Sequence, residues 1–206
     1  MEFDLNLLSN EKLKVLARIH SHLCGDGNLC IYKTSEKDRI NRISISYFNT
    51  NIDLINSFRR DMGDFFGVKM TYRPSAIRLT VKSIKIGKFL TQLGEYGTRQ
   101  WRIPSIIKNA STEIKLEWIK AFCYDEGYTP IGKTIIKIKS MNREGLKDVK
   151  ELVDSLQIEC WITGINCDGS WYLTIRKMNE LKDFYKKPSR KKIIAGGRLP
   201  DQINGF

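Results

Sequence analysis

The chain has 206 residues, 41% of them hydrophobic, which is enough for a sizeable core in one domain or in two small halves. Lys and Arg number 35 against 23 Asp and Glu, and the formal charge at pH 7 is +12. This excess favours a nucleic acid as partner; a charge that serves only solubility and an anionic membrane surface are the alternatives. We expect neither a membrane span nor a secretory leader, because no apolar run is long enough and the first residues lack the leader pattern.

The five cysteines include no Cys-x-x-Cys pair, and an odd number of them is typical of reduced thiols. We therefore expect an intracellular protein, in the cytoplasm or in an organelle. A zinc site is not expected, because the two histidines, His20 and His22, lie too far apart around one predicted helix to complete a site with the cysteines.

The first predicted element is a helix that begins at Ser9 or Asn10, both of which cap helix N-termini well. Its buried face recurs at spacings of three and four residues and comprises Leu13, Leu16, Ala17, His20, Leu23 and Cys24. Ala17, Ser21 and Gly25 recur at every fourth position, so we expect another backbone to approach closely along this stripe.

Alternating apolar and polar residues predict half-buried antiparallel strands in the first half. The strands are expected at residues 42–47 and 77–82, with the core-facing residues Ile43, Ile45, Tyr47, Ile77, Leu79 and Val81. Residues 49–66, between these strands, are predicted to form a helix. The polar stretch from Lys33 to Arg39 is interpreted as an exposed hairpin loop.

The second half repeats this pattern. A helix is predicted to begin near Ser111 and to bury Leu116, Ile119, Ala121, Phe122 and Cys123. Strands are predicted from Lys133 to Ser140 and over residues 171–176, the latter after a hairpin turn at Asn166–Ser170.

The two halves therefore form a diverged duplication. Residues 79–82 align with 173–176 and residues 49–66 with 142–156, in the same order. The expected architecture is α+β, with pseudo-symmetric repeats at 1–108 and 109–187 and a basic, flexible tail at 188–206. Helices are expected to cover one face of each antiparallel sheet, so that the opposite faces carry Arg, Lys, Ser and Thr.

Both long helices end on a carboxylate followed by glycine, Asp26-Gly27 in the first half and Glu126-Gly127 in the second. Negative charge at a helix C-terminus is disfavoured, because the helix dipole prefers cations there. Two such residues at matching positions predict that a cation is bound at the helix ends.

The stretches around these acids resemble the paired signature helices of the LAGLIDADG homing endonucleases, of the single-chain type with two motifs. The resemblance extends from about residue 10 to 187 and includes the order of elements. It implies repeated αββαββα units, two signature helices packed at a pseudo-twofold axis, and antiparallel sheets that form a DNA-binding saddle. The motifs depart from the family pattern at His20, Ser21, His22, Lys120, Tyr124 and Asp125. We interpret the two histidines as helix-face residues rather than ligands.

The family's catalytic acid precedes the final glycine of each motif. The resemblance thus implies Asp26 and Glu126 as catalytic residues and metal ligands, with Gly25 and Asp125 beside the metal. It implies a monomeric, site-specific endonuclease that makes a metal-dependent double-strand break in a long DNA target. Mg²⁺, or another divalent cation such as Mn²⁺, suits two carboxylates because it takes its remaining ligands from water and substrate oxygens.

Basic residues that order water around the metal are a further implication of the resemblance. The candidates follow strands or lie near the helix ends: Lys82, Arg99, Arg102, Lys139 and Arg176. Bases are expected to be read by outward strand residues, namely Tyr32, Lys33, Arg42, Ser44, Ser46, Arg73, Arg78, Thr80, Lys133, Lys137, Tyr172 and Thr174. The basic stretch at 186–192 is expected to add phosphate contacts.

Two alternatives stay open. The first is a protein of the same fold without cleavage, either an RNA-splicing maturase that binds intron RNA or a DNA-binding regulator; retention of both acids argues against lost cleavage. The second is an unrelated structural αβ protein, which predicts no salt-sensitive binding to a duplex.

Overall fold

The computed structural model describes residues 4–33 and 42–176. Most of the predicted polar loop at 33–39 and all of the predicted tail at 188–206, with the basic stretch at 186–192, lie outside these residues. Within them, no helix is long and apolar enough to cross a membrane. All five cysteines are free thiols.

The first repeat builds a four-stranded antiparallel sheet with strand order β1-β2-β4-β3. Its elements are α1 (Asn10–Cys24), β1 (Gly27–Tyr32), β2 (Arg42–Phe48), α2 (Ile52–Phe66), β3 (Thr71–Arg73), β4 (Arg78–Lys82) and α3 (Ile84–Thr91). Single 3₁₀ turns at Leu5–Leu7 and Pro74–Ala76 precede α1 and β4.

The second repeat builds an equivalent antiparallel sheet, with strand order β5-β6-β8-β7. After the short helix α4 (Ser105–Lys108) come α5 (Thr112–Glu126), β5 (Gly127–Tyr128), β6 (Ile136–Ser140), α6 (Arg143–Asp154), β7 (Cys160–Thr163) and β8 (Trp171–Ile175). The predicted duplication is therefore present, and a last helix of this repeat would fall beyond residue 176, outside the described part of the chain.

Capping residues begin both long helices where the sequence predicts. Ser9 is the N-cap of α1, and its hydroxyl oxygen accepts a hydrogen bond from the Lys12 N–H at 3.4 Å. Ser111 is the N-cap of α5 in the same extended conformation. The extended cap backbone sets the direction from which the chain enters each helix.

Helices α1 and α5 pack against each other, and α1 contributes to two hydrophobic cores. Leu16, Ile19 and Leu23 belong to the core of the first repeat, whereas Ala17 and Cys24 belong to that of the second. The close approach predicted along Ala17, Ser21 and Gly25 is confirmed. We call the contact between α1 and α5 the helix seam.

Two predicted strands are shorter than expected. β6 begins at Ile136 rather than Lys133, because Pro130 and Gly132 (φ 71°) form a turn closed by a hydrogen bond from the Lys133 N–H to the Pro130 carbonyl at 3.0 Å. β4 begins at Arg78, and the preceding Ile77 is 41% exposed with φ 48°, so its assignment to the core was wrong.

The predicted overlay of Asn49 on Asn142 is wrong by two residues. The N-caps of α2 and α6 are Asn51 and Asn142, so these two asparagines are equivalent. Asn49 corresponds instead to Ser140, since their side-chain oxygens accept from the N–H of Asn51 and Asn142, respectively. This correspondence determines which side chains face each other in the two halves.

Candidate functional site at the helix ends

The C-terminal ends of α1 and α5 meet at the seam. A Cβ atom added to Gly25 would lie 2.8 Å from Cβ of Asp125, which no real contact allows. Ser21, one turn earlier, donates its hydroxyl hydrogen to the Trp118 carbonyl at 2.8 Å. The small residues of α1 therefore bring the two helix ends into direct contact.

Asp26 and Glu126 occupy equivalent positions, each directly before the glycine that begins β1 or β5. Burial raises the pKa of the Glu126 carboxyl to about 7, and the nearby charges of Asp26 and Asp125 add to the effect. The two predicted acids therefore lie close enough to repel each other. A site that penalises negative charge in this way favours either a proton or a bound cation.

Glu126 opens into a cavity of about 550 Å³ at the seam. Both repeats and the segment between them line it, and its polar lining includes Asn28, Thr98, Lys139, Ser140, Asp168 and Ser170. This cavity is large enough for a phosphate group with water molecules.

Asp26 borders a second, smaller cavity of about 300 Å³. Its other lining residues are Phe48, Asn49, Thr50, Ala76 and Ile77. The Asn49 side-chain amide donates a hydrogen bond to Oδ2 of Asp26 at 2.7 Å. We call the surroundings of Asp26 and of Glu126 the two half-sites. They differ in the size of the cavity and in the residues that line it.

Asp125 lies beside the two acids, but its carboxylate is buried and already bonded within the protein. Nδ1 of His22 lies 2.8 Å from Asp125 Oδ2, and the Tyr47 hydroxyl donates to Oδ1 at 2.7 Å. Burial, followed by the Asp125 charge, raises the pKa of Tyr47 far above its usual range, so the hydroxyl stays a donor. Only the backbone of Asp125 is left for the predicted place beside a metal.

His20 also serves the seam. Its ring is fully buried and its Nδ1 accepts a hydrogen bond from the Trp118 indole N–H at 3.0 Å. Burial lowers the pKa of His20 to about 3, which keeps the imidazole neutral and able to accept. Both histidines are therefore bonded inside the protein, in line with their interpretation as helix-face residues.

The described residues contain no group of three or more His, Cys, Asp or Glu side chains arranged to hold a metal ion. The donor set at the seam nevertheless fits a hard divalent cation. Two carboxylates meet there, one of them half-buried and repelled by its neighbours. Mg²⁺ is commonly held by one or two carboxylates, with water and substrate phosphate completing its shell.

Two of the predicted basic residues pair with acids, and one of them lies beside Glu126. Lys139 lines the larger cavity together with Glu126, and its ammonium lies 2.5 Å from Oδ2 of Asp168. Arg102 instead donates two hydrogen bonds, at 2.7 and 2.8 Å, to the buried Asp148 carboxylate. Arg102 thus holds the segment between the repeats against α6.

The remaining basic candidates are not brought to the acids in the same way. Lys82 lies opposite Ser44 in the strand register of β4 and β2. This position is three residues, or about 10 Å, along the strands from Leu79 and Tyr47. Arg176 is bonded to Glu159 at 3.0 Å beyond the last residue of β8. Arg99 is exposed in the turn between α3 and α4. Whether these three act in catalysis stays a prediction.

The strand register places most predicted base-reading residues on one face of each sheet. In the first sheet these are Tyr32, Arg42, Ser44, Ser46, Arg73, Arg78 and Thr80. In the second sheet they are Lys137, Tyr172 and Thr174, next to Lys139. Two of these residues, Ser46 and Thr174, are nevertheless buried, with 6% and 2% of their surface exposed. Lys33 and Lys133 are exposed but lie outside the strands.

Aromatic rings support the cations on these faces. The Arg78 guanidinium lies 5.7 Å from the Phe48 ring centroid, and the Lys139 ammonium lies 6.0 Å from that of Tyr172. Phe48 and Lys139 occupy equivalent strand positions, as do Arg78 and Tyr172. In the first sheet the cation is on β4 and the ring on β2, whereas in the second sheet the cation is on β6 and the ring on β8.

Sequence reasoning missed three polar residues of this site: Asn49, Tyr47 and Asp168. Tyr47 was assigned to the core and Asp168 to a hairpin turn, which is where the structure also places them. An alignment of the two repeats could have found Asn49, because a polar residue occupies the same position in both: Asn49 after β2 and Ser140 at the end of β6. The two-residue error in the overlay concealed it.

No protein-family model matches the chain, and no curated protein matches it in sequence. The fold is similar to solved structures. A mesophilic variant of the homing endonuclease I-DmoI superimposes with a TM-score of 0.66 at 17% identity, over 84% of this chain and 94% of the other. I-DmoI in complex with DNA and Mn gives 0.62 at 17% identity, over 85% and 94%. The N-terminal LAGLIDADG domain of DUF199/WhiA gives 0.52 at 11% identity, over 88% and 84%.

These similarities establish the fold. The chain has the LAGLIDADG homing-endonuclease fold, and the resemblance inferred from the paired helix ends is confirmed at that level. The predicted α+β architecture with two antiparallel sheets is confirmed as well. The comparisons give no support for intron RNA as a partner.

Proposed function

We propose that this protein is a site-specific DNA endonuclease of the homing type, which cuts both strands of a double-stranded target in a reaction that depends on a divalent cation. The observation that carries the proposal is the contact between the helix ends, which gathers Asp26 and Glu126 at one seam. On either side of this seam a sheet presents basic residues on its outward face. The similarity to I-DmoI, which is described in complex with DNA and Mn, supports the proposal.

Asp26 and Glu126 would hold the cation, Mg²⁺ or Mn²⁺, with the backbone of Gly25 and Asp125 beside it. The cation, when bound, neutralises phosphate charge, activates a water molecule and stabilises the leaving oxygen. Lys139 adds positive charge at the wall of the Glu126 cavity. Its ion pair with Asp168 is exposed, so exchanging that partner for a phosphate costs little.

The duplex would lie along the outward faces of the two sheets. Arg42, Arg73, Arg78 and Lys137 supply positive charge there, and strands can enter a major groove to read base edges. The formal charge of +12 favours encounter with a polyanion and makes affinity fall as salt rises. A single chain with two equivalent halves suits action as a monomer on two antiparallel strands.

Selection followed by cleavage tests the proposal on duplexes that the protein itself chooses. Duplexes that bind the protein are enriched from a randomised pool in EDTA and then incubated with Mg²⁺ or Mn²⁺. We expect both strands to be cut with either cation and neither strand in EDTA. Enriched duplexes that stay intact with both cations would contradict an endonuclease.

Substitutions separate binding from cleavage. Asp26→Asn and Glu126→Gln should retain duplex binding and lose cleavage of one or both strands, because a neutral amide is a poor ligand for Mg²⁺. Glu144→Gln is the matched control, since Glu144 is exposed on α6 and pairs with Lys147. Normal cutting of both strands by either acid variant would refute the assignment of the metal ligands.

A DNA-binding regulator is the second candidate, because the LAGLIDADG domain of DUF199/WhiA has the same fold. A role in binding alone does not explain why two mutually repelling carboxylates lie at the seam, and their presence favours the endonuclease. The same selection distinguishes the two, since a regulator would bind enriched duplexes and leave them intact.

A further inference from the structure

We infer that Asn49 is a positioning residue that orients the Asp26 carboxylate, and that a hydrogen-bonded chain through Tyr47, Asp125 and His22 holds Asn49 in place. The consequence is that the two half-sites are unequally prepared for a cation. The inference rests on the proposed function and adds to it a difference between the halves.

The contacts form a continuous path across the seam. His22 lies 2.8 Å from Asp125, and Tyr47 donates to the other oxygen of Asp125 at 2.7 Å. The Asn49 side-chain amide nitrogen then lies 3.2 Å from the Tyr47 hydroxyl and donates to Asp26 Oδ2 at 2.7 Å. Asp125 belongs to the second repeat and the other four residues to the first, so one repeat supports the acid of the other.

Asn49 is itself held from the opposite side. Its Oδ1 accepts a hydrogen bond from the Asn51 N–H at 2.8 Å, in the turn that leads into α2. The side-chain amide is therefore bonded at both ends and has a single orientation. Its hydrogen bond to Oδ2 in turn restricts rotation of the Asp26 carboxylate about the Cβ–Cγ bond.

Among the described residues, the other half-site has no such path. The residues equivalent to His22, Tyr47, Asp125 and Asn49 are Phe122, Ile138, Gly25 and Ser140. Phe122, Ile138 and Gly25 have no polar side-chain atom. In this half the Glu126 side chain borders the larger cavity instead of an asparagine amide. Residues with apolar or no side chains therefore occupy, in the Glu126 half-site, most of the positions that support Asp26 by hydrogen bonds in the other.

A pre-oriented carboxylate binds a cation more tightly, because its rotation is restricted before binding and its geometry is already correct. Loss of such a supporting hydrogen bond typically weakens metal affinity about 10- to 100-fold. We therefore expect loss of the Asn49 contact to act on the Asp26 half-site alone.

Asn49→Ser tests this inference with little structural change. Serine at position 49 keeps an oxygen that can accept from Asn51, as Ser140 does for Asn142 at 3.1 Å, and removes the amide that donates to Asp26. Mn²⁺ binding to the protein–DNA complex is titrated by electron paramagnetic resonance, and cleavage is followed with each strand labelled separately. We expect one class of Mn²⁺ to bind about tenfold more weakly and one strand to be cut about tenfold more slowly, with the other within about twofold.

Tyr47→Phe provides a second test, because it removes the hydroxyl that bridges Asn49 and Asp125 and leaves only their direct contact, which is long at 3.5 Å. It should shift the same Mn²⁺ class and slow the same strand. Tyr96→Phe is the matched control, since the Tyr96 hydroxyl donates to the Leu90 carbonyl at 3.2 Å and not to a residue of this path. Tyr96→Phe should cut both strands as the wild type does.

The possible results separate the inference from the proposed function. Unchanged Mn²⁺ affinity, or an equal slowing of both strands, in the Asn49 and Tyr47 variants would overturn the positioning role. A wild-type protein that neither binds Mn²⁺ with DNA nor cuts it would overturn the proposed function itself.

Discussion

Replacement of Glu126 by glutamine is expected to stabilise the fold at alkaline pH, although it removes a residue of the candidate site. The Glu126 carboxyl has a pKa of about 7 in the native protein, against 4.5 for an unperturbed glutamate. Burial is the main cause, followed by the charges of Asp26 and Asp125. The ionised form is therefore a source of instability that the neutral amide of glutamine lacks.

The size of this destabilisation follows from how far the pKa of Glu126 is raised in the native protein. At about 1.4 kcal/mol for each pH unit, the ionised carboxylate costs the native state up to about 3 kcal/mol. Because the native protein binds this proton more tightly than the unfolded chain, the protonated group stabilises the fold fully below pH 4.5. This contribution is lost as the pH rises, and little of it is left above about pH 8.

Urea denaturation of the wild type and of Glu126→Gln, in EDTA at a series of pH values from about 4 to about 9, measures the effect. The variant should gain up to about 3 kcal/mol in the free energy of unfolding relative to the wild type between the acid and alkaline ends. Adding Asp26→Asn to both proteins should reduce this gain, because one of the repelling charges is then absent. Parallel stability curves for wild type and Glu126→Gln would refute the claim that Glu126 is half-buried beside other carboxylates.

Three further substitutions test the seam and the outward face. Gly25→Ala should cost about 1–3 kcal/mol of stability in urea denaturation, because its methyl group would lie 2.8 Å from Cβ of Asp125; wild-type stability would mean that the helix ends do not touch. Ser21→Leu should cost at least as much stability by overpacking, whereas Ser21→Ala should cost only about 1 kcal/mol, because it loses just the hydrogen bond to Trp118. Equal losses of stability in the two variants would argue against a close seam. Arg78→Ala should weaken binding to the selected duplex by about 1–3 kcal/mol and relax its sequence preference in a competition assay; an unchanged preference would remove Arg78 from the reading surface.

Much of the architecture could be predicted because it depends on neighbours along the chain. Helix starts at Ser9 and Ser111 follow from local capping. The strands of each half follow from alternation, and the stripe through Ser21 and Gly25 from helical spacing. These signals act over a few residues, so they survive in a sequence whose similarity to known proteins is low.

Errors occurred where local signals were ambiguous. Lys133 belongs to an alternating run, but Pro130 and Gly132 favour a turn, which delays β6 until Ile136. Ile77 has the spacing of a core residue, yet the chain leaves a 3₁₀ turn there with positive φ. In both cases the conformation of the turn, and not the periodicity, determines the residue at the end of the element.

Spacing along the chain is enough to predict the duplicated order of elements, the small residues of the seam and the two acids at the helix ends. The folded chain is needed to show that the Asp125 carboxylate is bonded internally, that Arg102 pairs with Asp148, and that Asn49 donates to Asp26. The partners of Asp125 lie 78 and 103 residues away along the chain, and Arg102 and Asp148 are 46 apart. Buried polar groups must find partners among whatever side chains packing brings near, and no periodicity along the chain encodes that choice.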